Sequence, residues 1–179
     1  TSASMAGNGG MIVIWSDVPD KSSFTRVDGS LLSQGGILSG NGGNIETSGY
    51  GLSINDITVS TRAFNGVDGL WLIDPDNISI GNGTDNHTLS SGTFSHSGSD
   101  GFIDGPTLNT ALSNGSVTIE ATNITLAESY SDSHSNALTL NATESIMLTG
   151  SFERTGGAIT LTAGTTLSGA GGLGCGVGC

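Results

Sequence analysis

VTIEAT at Val117–Thr122, LTLNAT at Leu138–Thr143 and ITLTAG at Ile159–Gly164 are three versions of one phrase, each starting 21 residues after the one before. Apolar residues recur two apart in every copy: Val117, Ile119 and Ala121; Leu138, Leu140 and Ala142; Ile159, Leu161 and Ala163, with Thr, Glu or Asn between them. A strand points successive side chains to opposite faces, so this alternation gives each copy one apolar face. A second short apolar segment follows each copy, carrying Ile124 and Leu126, then Ile146 and Leu148, then Leu167, at an offset that drifts. One strand at constant spacing and a second at variable spacing are what a coil with a fixed face and adjustable corners produces. The expected fold is therefore all-β, a parallel β-helix (β-solenoid) of about 21 residues per turn, in which stacked rungs share a column of aliphatic side chains that no rung could bury alone. An all-β sandwich, with strands and turns recurring every 8 to 12 residues or so, is the competing fold.

Upstream the pattern is looser. MIVIWS at Met11–Ser16, SLLSQ around Leu31, NIETS around Ile45, LSINDITVSTRA from Leu52, and LWLID with NISI between Leu70 and Ile80 read as strands, and Leu31 and Leu52 repeat the 21-residue interval. Corners between such strands favour residues that tolerate positive φ. The chain supplies 30 glycines, including GNGG at Gly7 and again at Gly40.

Sixteen acidic residues face only Lys21, Arg26, Arg62 and Arg154, a net charge of −12. That balance argues against nucleic acid or an anionic membrane as a partner, since both call for a basic face. No run approaches the roughly 20 apolar residues of a membrane-spanning helix, and TSASMAGNGG at the start has neither the basic nor the apolar part of a signal peptide. The piece reads as processed or excised from something longer. Cys175 and Cys179 are the only cysteines. At the extreme end of the sequence they cannot frame a small disulfide-built domain, but they could clip the tail.

Few residues suggest chemistry. Trp15 and Trp71 could stack on a ligand, but beside Ile14 and Leu72 in strands both read as packed. Asp74 and Asp76 could act as paired carboxylates; with Pro75 and Asn77 they more simply make the turn between LWLI and NISI. His87, His96 and His134 are scattered through polar runs with Asp85, Asp100 and Asp132, without the close spacing of a zinc site. GNGTDN and GSDGFIDG could offer oxygen ligands to calcium, but neither repeats the nine-residue calcium pattern. No metal, cofactor or catalytic residue is expected. A β-helical pectin lyase needs clustered basic groups, and a polygalacturonase shows a Gly-His-Gly phrase and adjacent aspartates; the chain has neither. Six N-x-S/T sequons, at Asn77, Asn82, Asn86, Asn114, Asn123 and Asn141, are candidate glycosylation sites in a chain rich enough in Asn, Ser and Thr to generate them by chance.

Four phrases carry a resemblance. GNGGMIVIWSD at Gly7–Asp17, GNGGNIETSG, VSTRAFNGVDG and WLIDPDNISI stand in the order they take in the filamentous haemagglutinin-like exoproteins of bacterial two-partner secretion, which include the high-molecular-weight adhesins. The stretch from Gly7 to Ile80 resembles that family most, and LNTALSNGSVTIEA with its repeats is similar to the degenerate coils that follow. The resemblance implies a right-handed parallel β-helix, exported through an outer-membrane transporter to the bacterial surface, with adhesion to a host-cell or surface receptor as the usual role. The N-terminal secretion domain of the family is absent from this sequence. Cys175 and Cys179 are similar to the C-terminal cysteine pair by which some of these adhesins are tethered to their exporter, with a shorter spacing. Some family members carry sugars on sequon asparagines.

The expectation is one β-solenoid over 1–179: family-like coils over 1–80, a polar loop-rich insertion over 81–107, regular coils over 108–168 and a Gly/Cys tail over 169–179. The expected function is that of a non-catalytic extracellular adhesin or surface scaffold, a segment of a longer solenoid. The alternative is a processed subunit that stacks end to end into an extracellular filament.

Overall fold

The computed structural model describes residues 1–55, 57–81, 87–90, 93–96, 100–169 and 173–175, with 87–90, 93–96, 100 and 173–175 described by backbone alone. The protein is mostly β-structure, and its main sheet is largely parallel and nearly closed.

Two rows of strands make that sheet. In the first, β1 (Met11–Trp15), β4 (Asn44–Gly49), β7 (Leu70–Pro75), the first half of β12 (Ser116–Leu126), the first half of β14 (Leu138–Leu148) and β16 (Ile159–Ala163) pair in this order, all parallel. The second row runs β2 (Phe24–Arg26), β5 (Gly51–Ser53), β11 (Asp100–Ile103), β8 (Asn77–Ile80), the second halves of β12 and β14, and β17 (Thr166–Gly169), again all parallel. A register shift between Ala121 and Asn123 bends β12 from one row into the other. Shorter parallel ladders join β3 (Ser30–Leu32) to β6 (Thr58–Ser60), and β13 (Tyr130–Asp132) to β15 (Phe152–Arg154) and β18 (Leu173–Cys175). An antiparallel hairpin, β9 (His87–Ser90) with β10 (Thr93–His96), stands outside these ladders.

The 21-residue phrases lie in register. Val117 pairs with Leu138 and Leu138 with Ile159, while Ile119, Leu140 and Leu161 form the adjacent column. Val117, Leu138, Ile119 and Leu140 are buried; Ile159 and Leu161, on the last strand of the row, are partly covered. Each full burial contributes roughly 1.5 to 3 kcal/mol. The interval does not extend upstream: Leu31 pairs with Val59, and Leu52 with Thr25. The buried column fixes which side chains stack but leaves the connecting loops free to lengthen, so the interval between paired strands varies where loops are inserted.

Glycine works differently from the corner reading. Within the two GNGG phrases only Gly7 and Gly40 have positive φ. Gly42 has none; it is excluded from having a side chain because a Cβ there would strike the Thr61 carbonyl. The phrases let neighbouring rungs approach backbone to backbone.

Two features of 81–107 were not anticipated. β11 returns into the second row and lies between β5 and β8, both earlier in the chain, so this segment is not wholly a projecting loop. Helix α1 (Gly105–Leu112) crosses the boundary placed at 107/108. Asp104 caps it, accepting from the Thr107 amide at 2.6 Å, and Pro106 sits in its first turn. Leu108, Ala111 and Leu112 face the core at helical spacing.

Candidate functional site

Strand parity builds the outer face of the first row. Ile45, Trp71 and Val117 point inward in one register column, so the residues between them point out. Outward columns align Met11 with Asn44 and Leu70, Val13 with Glu46 and Leu72, and Trp15 with Ser48 and Asp74. Met11, Val13 and Trp15 are exposed by 67%, 51% and 63%, a contiguous apolar ridge along one strand. Leu70 and Leu72 form a second, half-buried ridge. Between the ridges runs a trough of about 240 Å³ floored by Asn44 and Glu46.

The expectation that both tryptophans are packed is corrected here. Trp71 is buried and its indole Nε1 donates to Thr47 Oγ1 at 3.0 Å. Trp15 is solvent-facing because its parity on β1 puts Ile12 and Ile14 against the core instead.

Carboxylates border the apolar ridges. Ser48 Oγ donates to Glu46 Oε1 at 2.8 Å. Asp74 sits at the end of β7, and a second groove, of about 400 Å³, runs past it between Val18, Asp76, Glu120, Thr122 and Asn141. Burial, and then the charges of Glu120 and Glu46, push the Asp74 carboxyl up to about 6. Asp76 is the corner between β7 and β8, accepting from Thr122 Oγ1 at 3.0 Å and from Asn77 Nδ2 at 3.0 Å. Asp74 and Asp76 thus form a strand end and a corner, as the turn reading has it.

A groove of about 590 Å³ lies between α1 and β13 and is lined by Asn109, Thr110, Ser129, Tyr130, Ser131 and His134 among others. Tyr130 packs on Phe152 with ring centroids 5.3 Å apart, and burial first holds its phenol well above the ordinary value. Beneath it lies a buried ion pair: Arg154 Nε donates to Asp132 Oδ2 at 2.7 Å, and the guanidinium also donates to the carbonyls of His134, Asn136 and Ala158. The three carbonyls lie in the loops that follow β13 and β15, so the pair staples two corners together.

The sequons separate by environment. Asn123 Nδ2 donates to Asn77 Oδ1 at 3.0 Å, and Ser145 Oγ donates to Asn123 Oδ1 at 2.6 Å, a ladder of amides along one corner. Asn114 Nδ2 donates to the Thr110 carbonyl at 2.9 Å at the end of α1. Asn141 lies in the Asp74 groove and reaches Glu120 Oε1 at 3.4 Å. Asn82, Asn86, Asp85 and Cys179 lie outside the described residues, and for His87, His96, Asp100 and Cys175 only the backbone is described; the disulfide reading and the histidine and calcium readings on these residues lie outside the described side chains. His87 and His96 occupy paired positions of the β9–β10 hairpin, distant in sequence from His134. No group of three or more metal-ligating side chains occurs among the described residues, and no helix among them is long and apolar enough to cross a membrane.

Sequence reasoning missed the outer face. Met11, Val13, Glu46, Leu70, Leu72 and Glu120 were visible as the off-beat residues of the strands, but their alignment depends on rungs of unequal length that only the pairing supplies. No family model matches the chain, and no curated protein matches it.

Proposed function

We propose that the chain is a non-catalytic, extracellular segment of a right-handed parallel β-solenoid from a two-partner-secretion exoprotein, acting as an adhesin or surface scaffold through its outer faces. The observation that carries the reading is the exposed ridge of Met11, Val13 and Trp15 on an in-register parallel sheet. Side chains on such a sheet are held at a strand spacing of about 4.8 Å, a rigid lattice for presenting contacts without a pocket. The in-register stack of Val117, Leu138 and Ile159 supports the solenoid, and the phrases between Gly7 and Ile80 support the family. The partners of such a segment are the parent's outer-membrane transporter and a host-cell or surface receptor.

Cell retention tests the function. Beads coated with the folded chain should be held by cultured epithelial cells, and beads coated with the Val13→Ser/Trp15→Ser variant should be held several times less. Equal retention of both, or none of either, would overturn the adhesin reading.

A second reading, an end-to-end filament subunit, draws on β1 at one edge of the sheet and β16 with β17 at the other, each paired on one side only among the described residues. Unpaired strand edges accept another strand, and a head-to-tail contact that does not close gives a fibre. Electron microscopy of the purified chain at rising concentration separates rods from fibres.

A further inference from the structure

We propose that the outer face between β1 and β7 is a docking surface for an extended, arginine- or lysine-bearing segment of a partner protein. The fit follows from how this face alternates. Two apolar ridges, Met11–Val13–Trp15 and Leu70–Leu72, flank a trough whose floor carries Glu46; Asp74 follows Leu72 along the second ridge, and Glu120, on β12 beyond that ridge, acts on it through the adjoining groove. The ridges are two strand spacings apart, roughly 10 Å, wide enough for one extended chain.

A long basic side chain has the same alternation in one residue. Its alkyl stem lies on apolar surface while its head reaches a charge. Stems on Val13, Leu70 and Leu72 would carry heads to Glu46 and to Asp74, and the exposed Trp15 ring offers a face to a cation. An acidic or purely apolar segment would leave these carboxylates facing like charge or hydrocarbon.

Each of the four Lys and Arg residues has its place elsewhere among the described residues. Arg26 is paired with Asp28 at 2.9 Å, Arg62 lies over the Phe64 ring at 5.1 Å, Arg154 is buried on Asp132, and Lys21 is exposed in the loop after β1. The groups acting on Asp74 are the carboxylates of Glu120 from β12 and Glu46 from β4. A bound guanidinium would relieve that repulsion, so affinity should rise with pH through about 6.

The inference extends the reading of the outer face as the working surface, and its test is separable from cell retention. The probe is a short peptide alternating Arg with Gly, titrated against the full chain while Trp15 emission is followed; Trp71 is buried, so a change lost in Trp15→Phe reports this face. The same peptide with citrulline keeps the stem and loses the charge, and with diaminopropionate keeps the charge and loses the stem. Both should bind at least about tenfold more weakly than the Arg peptide. Glu46→Gln/Glu120→Gln should weaken the Arg peptide about tenfold, whereas Glu128→Gln/Glu153→Gln, removing the same charge elsewhere, should not; Asp74→Asn should flatten the pH dependence. Absence of binding, equal binding of either analogue, equal loss in the two double variants, or a Trp15 shift that tracks protein concentration without peptide, pointing to a second copy, would each overturn the proposal. Peptide binding without cell retention would overturn the adhesin reading alone; retention without peptide binding would overturn this one alone.

Discussion

Asp74 shows how much a single position can depend on its neighbours. Its carboxyl is raised to about 6 in the folded protein, so the folded state holds an extra proton between the ordinary carboxylate value and that point. Stability should then fall as pH rises through this window and level off above it. Asp74→Asn should remove the slope and, because the group is half exposed and screened, raise stability at pH 7.5 by about 1 kcal/mol, with no gain at pH 4. Urea denaturation at the two pH values measures both. Arg154 is the opposite case, a cation with no exposed surface and all its described partners in place. Arg154→Leu leaves Asp132 buried and unpaired, at a cost of about 3 to 5 kcal/mol, and Arg154→Leu/Asp132→Leu should recover most of the loss. Neither environment was legible in the sequence. Glu46, Asp74 and Glu120 are far apart in the chain, as are Asp132 and Arg154, and only the register brings them together.

At the level of the strand the sequence was far more readable, because period-two alternation is a local property. β12, β14 and β16 follow the phrases that predicted them, and Leu140→Asp should separate cleanly from Thr139→Asp. The first places an unpaired charge in a dry column at 0% exposure; the second adds one to the outer face. Limited proteolysis should cleave the C-terminal strands of the first variant and leave those of the second intact. Gly42→Ala should cost about 1 to 3 kcal/mol by forcing apart Gly42 and the Thr61 carbonyl, seen as a lowered Tm with unchanged far-UV spectrum at 10 °C. Helix α1 was missed although its signals stand in the sequence: a capping Asp104, Pro106, and Leu108, Ala111 and Leu112 at helical spacing. The boundary at 107/108, set where LNTALSNGSVTIEA begins to resemble the coils of the family, falls inside it.

Across the whole molecule, the parallel sheet was legible in its last third, where paired strands keep one interval, and blurred upstream, where Met11 meets Asn44, Asn44 meets Leu70 and Leu70 meets Ser116 at unequal intervals. Pattern alone cannot align rungs separated by loops of arbitrary length. The strand order of the second row has a bearing on assembly in time. A chain emerging from its N-terminus presents β5, then β8, and only later β11, yet β11 must end between the two. Simple winding, one coil laid on the last, would bring β8 onto β5 and shut β11 out. The second row therefore closes only once residues 100–103 are available, and its N-terminal half depends on a strand made after both of its neighbours.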